Sequence, residues 1–484
     1  PSFCSVAVEL VIHPEIDYLS QIPERHRSGL SQEIEEILGD LSDPEELWWV
    51  HNHHIGKNPP FTDTLLRFAR ARPKQRIVLQ IHDFPESGRY ANLAAISQGV
   101  ADPLYPVLEN LRYVVLNNRD YSVLTAAGIP ESVLSVLPNP VRMDELHPPE
   151  GSGDDRSDVV EGLAAISAGP RSRFHREGNL AVYPVRCIRR KNVLEAALLS
   201  ELAGKAQPAK QRGSNGREPG LWNLIVTLPG TSDQERRYSE MVEDAFGAGL
   251  VAGRFAPGTK ADIPFRSLLA SADAIVSSSV QEGFGYTYIE AVTTKNHLIA
   301  RHIDILSGVD EILRQFAVSF YHTVPVPFQT PSLSDVRPML RLRYGERLEE
   351  IEPLLPPEIF RALGSAIESL LAGDSIDFSF LMPQMQYTVL KDLEDESFAS
   401  ELIRFNGEAL VGFRAAVAGK SSPDDFAPIR EQFGFPVYGR RIREIVESFD
   451  ERRIETDEAQ PADAQSVLSH FATIDYLRLL YAAV

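Results

Sequence analysis

The chain has 484 residues, 43% apolar and 24% charged, and a formal net charge of −20. That length exceeds what one hydrophobic core fills, so at least two domains are expected. The acidic balance excludes nucleic acid as a partner, because phosphate backbones would be repelled; a local basic cleft for a small anion stays open. Two cysteines, Cys4 and Cys187, imply no disulfide framework and suit a reducing cytoplasm. No apolar run has the length of a membrane span, so no stable membrane insertion is expected. No signal-peptide pattern is visible, and the sequence starts at Pro1, so a preceding segment is left open.

The first 150 residues alternate strand and helix signals. Ser5–Ile12 and Leu47–Asn52 predict strands; Ser31–Leu41 and Phe61–Ala71 predict helices. Arg76–Ile81 predicts a buried strand, Val100–Leu111 a helix and Tyr113–Leu116 a strand. Ser122–Ala127 predicts a helix stopped by Gly128, and Ser135–Leu137 closes the series. Such alternation gives a mostly parallel sheet covered on both faces. From His147 the composition turns rich in Pro, Gly and acids, and 145–178 predicts the crossover between domains.

A second alternating series follows, 151–330. Its predicted strands are Leu180–Val185, Leu221–Leu228, Gly249–Phe255, Ala274–Ser277, Asn296–Ala300 and Ala317–Tyr321. Its predicted helices are Lys191–Leu202, Asp233–Phe246 and Phe265–Ala270, with Ala203–Gly220 a solvated loop. Residues 331–484 predict a mainly helical extension, including Glu346–Glu352, Glu358–Leu371 and Ala462–Ala482.

Three places concentrate chemistry. Glu282-Gly283-Phe284-Gly285 follows a strand signal and leads into a helix carrying Glu290. Gly283 and Gly285 let backbone approach an anion, and the helix start offers unpaired N–H groups. Arg186 and Lys191 form a basic segment where a helix begins; positive charge there opposes the macrodipole, so a bound anion would explain it. His82 and Asp83 leave the strongest N-terminal strand at its carboxyl end, where α/β sheets place ligands, with Arg89 and Tyr90 close behind. His51, His53 and His54 invite a zinc reading, but no Cys, Asp or Glu cluster at ligand spacing accompanies them, and no metal site is expected. His53 and Lys57 are instead candidates for acceptor contacts, as are Asp83, Arg89 and Tyr90.

The Glu282…Glu290 run resembles the E-x7-E signature of the family 4 retaining glycosyltransferases. Val185-Arg186-Cys187-Ile188-Arg189-Arg190-Lys191 is similar to that family's Arg-x4-Lys segment, with Asn192 where Gly is frequent. Asn117-Asn118-Arg119-Asp120 through Leu137-Pro138-Asn139-Pro140-Val141 resembles the end of its N-terminal domain. The likeness covers about 75–315; no N-terminal Gly-x-Gly loop is found, which leaves the acceptor side poorly defined.

The resemblance implies a GT-B fold: two Rossmann-like domains facing across a cleft, with the last helix packing back on the N-terminal domain. It implies that Glu282 meets donor hydroxyls and Glu290 the ribose, that the Phe284 and Gly285 N–H groups meet the diphosphate together with Arg186 and Lys191, and that His82 lies at the reaction centre. The implied activity is hexose transfer from a UDP- or GDP-linked sugar to a soluble small acceptor such as a sugar, polyol or glycerate-type compound. The product would be an α-glycoside, formed with no cofactor and no metal; homo-oligomerisation is left open. Competing readings are a sugar-nucleotide epimerase or other GT-B enzyme, and a non-catalytic nucleotide-sugar-binding protein.

Overall fold

The computed structural model describes residues 9–142, 156–166, 169–206, 220–256, 263–330, 333–419, 425–451 and 460–481. Two parallel sheets organise it. The first contains β1 (Leu47–His51), β2 (Arg76–Ile81), β3 (Leu111–Val115) and β4 (Leu134–Val136), side by side in chain order. Neighbouring strands are parallel throughout, with Ile77 opposite Leu111 and Tyr113 opposite Leu134. Ile77, Val78, Leu79 and Ile81 are buried on both faces, which is why β2 reads as a continuous apolar run.

The second sheet contains β5 (Asn179–Arg186), β6 (Trp222–Leu228), β7 (Gly253–Phe255), β8 (Ala274–Ser277), β9 (His297–Arg301) and β10 (Val318–Tyr321). Its order is β10-β9-β8-β5-β6-β7, all parallel. The chain starts in the middle, winds outward through β6 and β7, then returns to β8 and winds the other way. This is the doubly wound Rossmann order, with its switch point between β5 and β8.

A helical extension joins both halves, with a small antiparallel pair formed by β11 (Pro325–Pro327) and β12 (Ser375–Asp377). Helices Glu396–Phe405 and Gly407–Val417 pack on the helix Val193–Lys205 of the second domain. Helix Phe435–Glu451 returns to the first sheet, where Ile445 packs with Val78, Val114 and Leu137. Arg112 ties it down, donating from Nε to Ser448 Oγ at 2.9 Å. Helix Ala464–Phe471 packs on Asn118–Ala126, and Phe471 fills the N-terminal core against Phe84, ring centroids 5.1 Å apart. Burying one such ring is worth about 2 kcal/mol. The architecture is GT-B: two Rossmann-like α/β domains with a helical C-terminal extension. Among the described residues no helix is long and apolar enough to cross a membrane.

Several expected elements differ. Val100–Leu111 is not helical; the helix is Tyr90–Gly99, because Pro103 and Pro106 deny the following stretch its backbone donors. Residues 9–12 form no strand, and Leu10, Val11 and Ile12 are exposed; 5–8 lie outside the described residues. Val336–Ile351 forms one long helix where only Glu346–Glu352 was expected. Ala462–Ala482 breaks after Phe471 into short 3-10 turns. Of the crossover at 145–178, residues 156–165 form a helix, while 145–155 and 167–168 lie outside the described residues. Of the loop at 203–220, residues 203–205 end the preceding helix and 207–219 lie outside the described residues.

Candidate active site

A doubly wound sheet opens a crevice beyond the carboxyl ends of the two strands at its switch point. Here those ends are Arg186 on β5 and Ser277 on β8. The loops that follow carry Cys187–Asn192 and Ser278–Gly285 and are stitched together. Val280 N donates to Arg190 O at 3.0 Å. Ser278 Oγ reaches the carbonyls of Lys191 at 3.1 Å and Asn192 at 2.9 Å. The Tyr183 hydroxyl donates to Lys191 O at 2.8 Å and lies 2.9 Å from Ser279 Oγ.

Asn192 explains its own departure from glycine. Its backbone is left-handed, φ 48° and ψ 46°, between a 3-10 turn at Arg189–Lys191 and the helix from Val193. Asparagine tolerates this region better than most residues because its short amide bonds locally. Its Nδ2 donates to Glu195 Oε2 at 2.7 Å, and its Oδ1 accepts from Gln386 Nε2 at 3.0 Å.

Glu282 is buried, and Lys191 Nζ donates to its Oε1. Arg190 Nη1 approaches Oε2 at 3.3 Å and donates to Gln281 O at 3.1 Å. Burial alone would raise the Glu282 carboxyl, but Lys191 and Arg190 outweigh it and hold its pKa below the usual range. Burial lowers the Lys191 ammonium, an effect that Glu282 opposes and Arg190 reinforces. Arg186 stands apart: it is exposed at the strand end, and no hydrogen bond or ion pair ties it to Glu282. Arg190, adjacent to Lys191 in sequence, takes the place beside the carboxylate. Arg189 is buried and structural, bonding Glu235 through Nε at 3.1 Å.

Gly283 sits where the two domains meet. A Cβ there would lie 2.9 Å from the His82 carbonyl oxygen. Asn117 Nδ2 donates to Gly283 O at 3.1 Å, and Gln281 Nε2 donates to Ser87 O at 2.9 Å. Gly285, at φ 85°, caps the helix Tyr286–Thr293. Phe284 packs edge-on against Tyr286 and Phe433. Glu290, on that helix, is partly buried; burial raises its carboxyl, and no hydrogen bond or ion pair to that carboxyl occurs among the described residues.

On the facing domain, His82 leaves β2, and its N–H donates to Asn52 Oδ1 at 2.8 Å. Its Nε2 lies 2.9 Å from His51 Nδ1. Burial first, then His51, lowers the His82 pKa, with Asp83 opposing; burial also lowers His51. Asp83 and Arg89 pair at 2.8 Å. Tyr90 is buried below Arg347, 5.5 Å from its ring, and burial pushes its hydroxyl up to about 12. Lys57 is exposed, 5.7 Å over the Tyr18 ring.

The structure places His53 in the domain interior rather than at the cleft. His53 and His54 are buried, 4.8 Å apart, with His54 edge-on to Phe84 and Tyr105. Burial brings His53 down to about 3 and His54 well below the ordinary value. The histidine cluster is thus divided between the cleft and the core. Among the described residues no three His, Cys, Asp or Glu side chains group as metal ligands.

No family model matches the chain. The mannosylglucosyl-3-phosphoglycerate synthase of Petrotoga mobilis is 28% identical over 487 residues, which covers 98% of this chain and 89% of that protein. Among solved structures, the sucrose-phosphate synthase of Thermosynechococcus elongatus is 12% identical at a TM-score of 0.44, covering 89% of this chain and 80% of its own. An α,α-trehalose-phosphate synthase (UDP-forming) of Burkholderia xenovorans is 12% identical at 0.42, with coverage of 89% and 80%. These structural likenesses are loose, and the fold assignment rests on the strand order. With its paired parallel sheets and this near full-length kinship, the chain is a glycosyltransferase of GT-B architecture.

Proposed function

We propose that this protein is a retaining hexosyltransferase that moves a sugar from a nucleoside-diphosphate donor to a small soluble acceptor and gives an α-glycoside. The observation that carries the reading is the Lys191–Glu282 pair at the switch point, pressed through Gly283 against the His82 loop of the facing domain. A donor bound there would set its diphosphate near Lys191, Arg190 and the helix start at Gly285. Positive charge at that place stabilises the leaving diphosphate most in the transition state. Arg186, exposed at the mouth, would reach the phosphates only on ligand binding. Glu282 would hold donor hydroxyls, and Glu290 the ribose. Asp83, Arg89 and Lys57 remain the acceptor-side candidates.

Kinship to a mannosylglucosyl-3-phosphoglycerate synthase narrows the substrates. We take the donor to be a mannose nucleotide and the acceptor a glucosylated phosphoglycerate. A nucleotide-sugar panel scored by released nucleoside diphosphate tests this. Release with GDP- or UDP-mannose and a glucosyl-phosphoglycerate acceptor is expected; stabilisation by NAD alone, with no release from any sugar nucleotide, would refute it.

The same assay tests metal independence. The cationic side chains and the helix start are positioned to carry the diphosphate charge, so EDTA is expected to leave the rate unchanged. Activity abolished by EDTA and restored by Mn²⁺ or Mg²⁺ would contradict this.

Gly283→Ala offers a second test. The added methyl would meet a backbone carbonyl at 2.9 Å, and backbone yields less readily than a side-chain tip. The donor loop and the His82 loop must then part. A misplacement of about 1 Å at a reaction centre can cost on the order of 10²-fold in rate. Turnover is expected to fall by about that much with the melting temperature little changed. Wild-type turnover would show that the contact is dispensable.

A further inference from the structure

A cavity of about 690 Å³ opens between helices Val336–Ile351 and Pro383–Asp392 and the turn Leu479–Tyr481. The volume suits a small-molecule ligand. Its walls carry three guanidiniums, those of Arg343, Arg347 and Arg478, and two carboxylates, those of Glu346 and Glu350, a net positive lining in a chain whose net charge is −20.

Two of them have weak local partners. Arg343 pairs with Glu346 and Arg347 with Glu350, each at 2.9 Å and three residues apart. Solvent-accessible pairs of this kind are weak, so an incoming anion can take the guanidiniums over. Arg478 differs, being 7% exposed. Its Nη1 donates to Ser379 Oγ and its Nη2 to Asp475 Oδ1 at 2.5 Å, while its Nε has no hydrogen-bond partner.

Tyr481 connects this cavity to the catalytic crevice. It lines the cavity, and its hydroxyl donates to Gln281 Oε1 at 2.9 Å, one residue before Glu282. Arg478, Arg190, Arg89 and Arg189 all act on that hydroxyl electrostatically, although burial dominates and pushes it up to about 12. Arg347 lies over Tyr90, beside Arg89 of the N-terminal loop. The cavity is walled by the extension, and two of its lining residues reach the domains: Arg347 lies over Tyr90 of the first and Tyr481 bonds Gln281 of the second.

We propose that this cavity receives the anionic, phosphate- and carboxylate-bearing end of the acceptor, and that the hydroxyl to be glycosylated extends past Tyr481 to the donor. The planar forks of arginine match carboxylate and phosphate oxygens in pairs. This assignment rests on the glycosyltransferase reading above.

The double variant Arg343→Gln/Arg347→Gln tests it, because both side chains are partly exposed. KM is measured for glucosyl-3-phosphoglycerate and for the uncharged analogue glucosylglycerol, and nucleotide affinity by calorimetry. Losing charge-assisted bonds is expected to raise KM for the anionic acceptor about tenfold or more. KM for the uncharged acceptor and nucleotide affinity are expected to stay within about twofold, a change too small to count as a lost contact. An unmoved KM for the anionic acceptor, with nucleotide binding intact, overturns the cavity assignment alone. Binding of free 3-phosphoglycerate that the variant loses while the acceptor KM stays fixed marks a separate effector site and also overturns it. Wild-type protein that binds no nucleotide refutes the glycosyltransferase reading, and the acceptor assignment falls with it.

Discussion

Lys191→Ala is expected to lower turnover by about 10²-fold or more and to lower the melting temperature as well. The first effect follows from a positioned cation meeting the leaving diphosphate, an interaction strongest in the transition state. The second follows from burial. The Lys191 and Glu282 side chains are 12% and 8% exposed, and removing one partner leaves the other charged and largely dry. Breaking such a pair costs about 3–5 kcal/mol in general. Arg190, still 3.3 Å from Glu282, should keep the cost at the low end. The double variant Lys191→Ala/Glu282→Gln separates the two effects. Glutamine carries no charge to strand, so stability should recover most of what the single variant lost. Turnover should not recover, because the phosphate contact is still missing and a donor-hydroxyl contact is weakened. Steady-state rates at saturating donor and melting temperatures for the three variants give the answer. A double variant that regains both stability and turnover would make the pair structural only. A Lys191→Ala enzyme with near wild-type turnover would remove Lys191 from catalysis.

The sheets were readable because their strands are short apolar runs between polar breaks. Arg76–Ile81 and Ala274–Ser277 lie where the sequence places them, since buried parallel strands leave little ambiguity of period or length. Irregular backbone was harder. The Arg189–Lys191 turn and left-handed Asn192 carry no local pattern that separates them from the helix they precede, so the helix was expected two residues early. The helices between Pro383 and Glu451 lie in the segment 331–484 that reads as mainly helical, but the sequence assigns them no individual bounds. In the site, Lys191 and Glu282 were legible from order and spacing within loops. Their bonded neighbours were not. Gln281 meets Ser87 across 194 residues and Tyr481 across 200, and no local signal announces such pairs. Arg190 gave a weak signal as one of three consecutive cations. Only the fold turns Arg189 inward to Glu235 and Arg190 toward Glu282.

His82→Ala is expected to depress turnover by about 10²-fold, the lower range for a group acting on protons or orientation at the reacting centre, while nucleotide affinity stays near that of wild type. His82 lies on the facing domain, and its carbonyl touches the Gly283 turn, so its side chain can act on sugar and acceptor without holding the diphosphate. The α configuration of the donor should be retained. Both Glu282 oxygens face cations, one Lys191 and the other Arg190, which makes that carboxylate a poor nucleophile toward C1. A front-side displacement remains: the bond to the departing phosphate oxygen breaks, the acceptor oxygen bonds to C1 on the same face, and the acceptor proton passes to that phosphate oxygen. Neutral His82 and its backbone carbonyl would orient the oxocarbenium-like sugar. The pH dependence supplies the sign. His82 is lowered from 6.5 by burial and by His51, so it is neutral at pH 7, and the rate should hold there and fall only as the pH drops below 6.5. Removing His51, 2.9 Å away, takes away one lowering influence, and His51→Ala should move the acid limb to higher pH. Proton NMR of the product assigns the anomer, calorimetry gives nucleotide affinity, and rate profiles from pH 5 to 8 locate the limb. A β-linked product from an α-donor would refute the front-side mechanism, and full activity in His82→Ala would refute the role of the imidazole. An acid limb unmoved in His51→Ala would show that the two rings do not share the proton balance on which this mechanism draws.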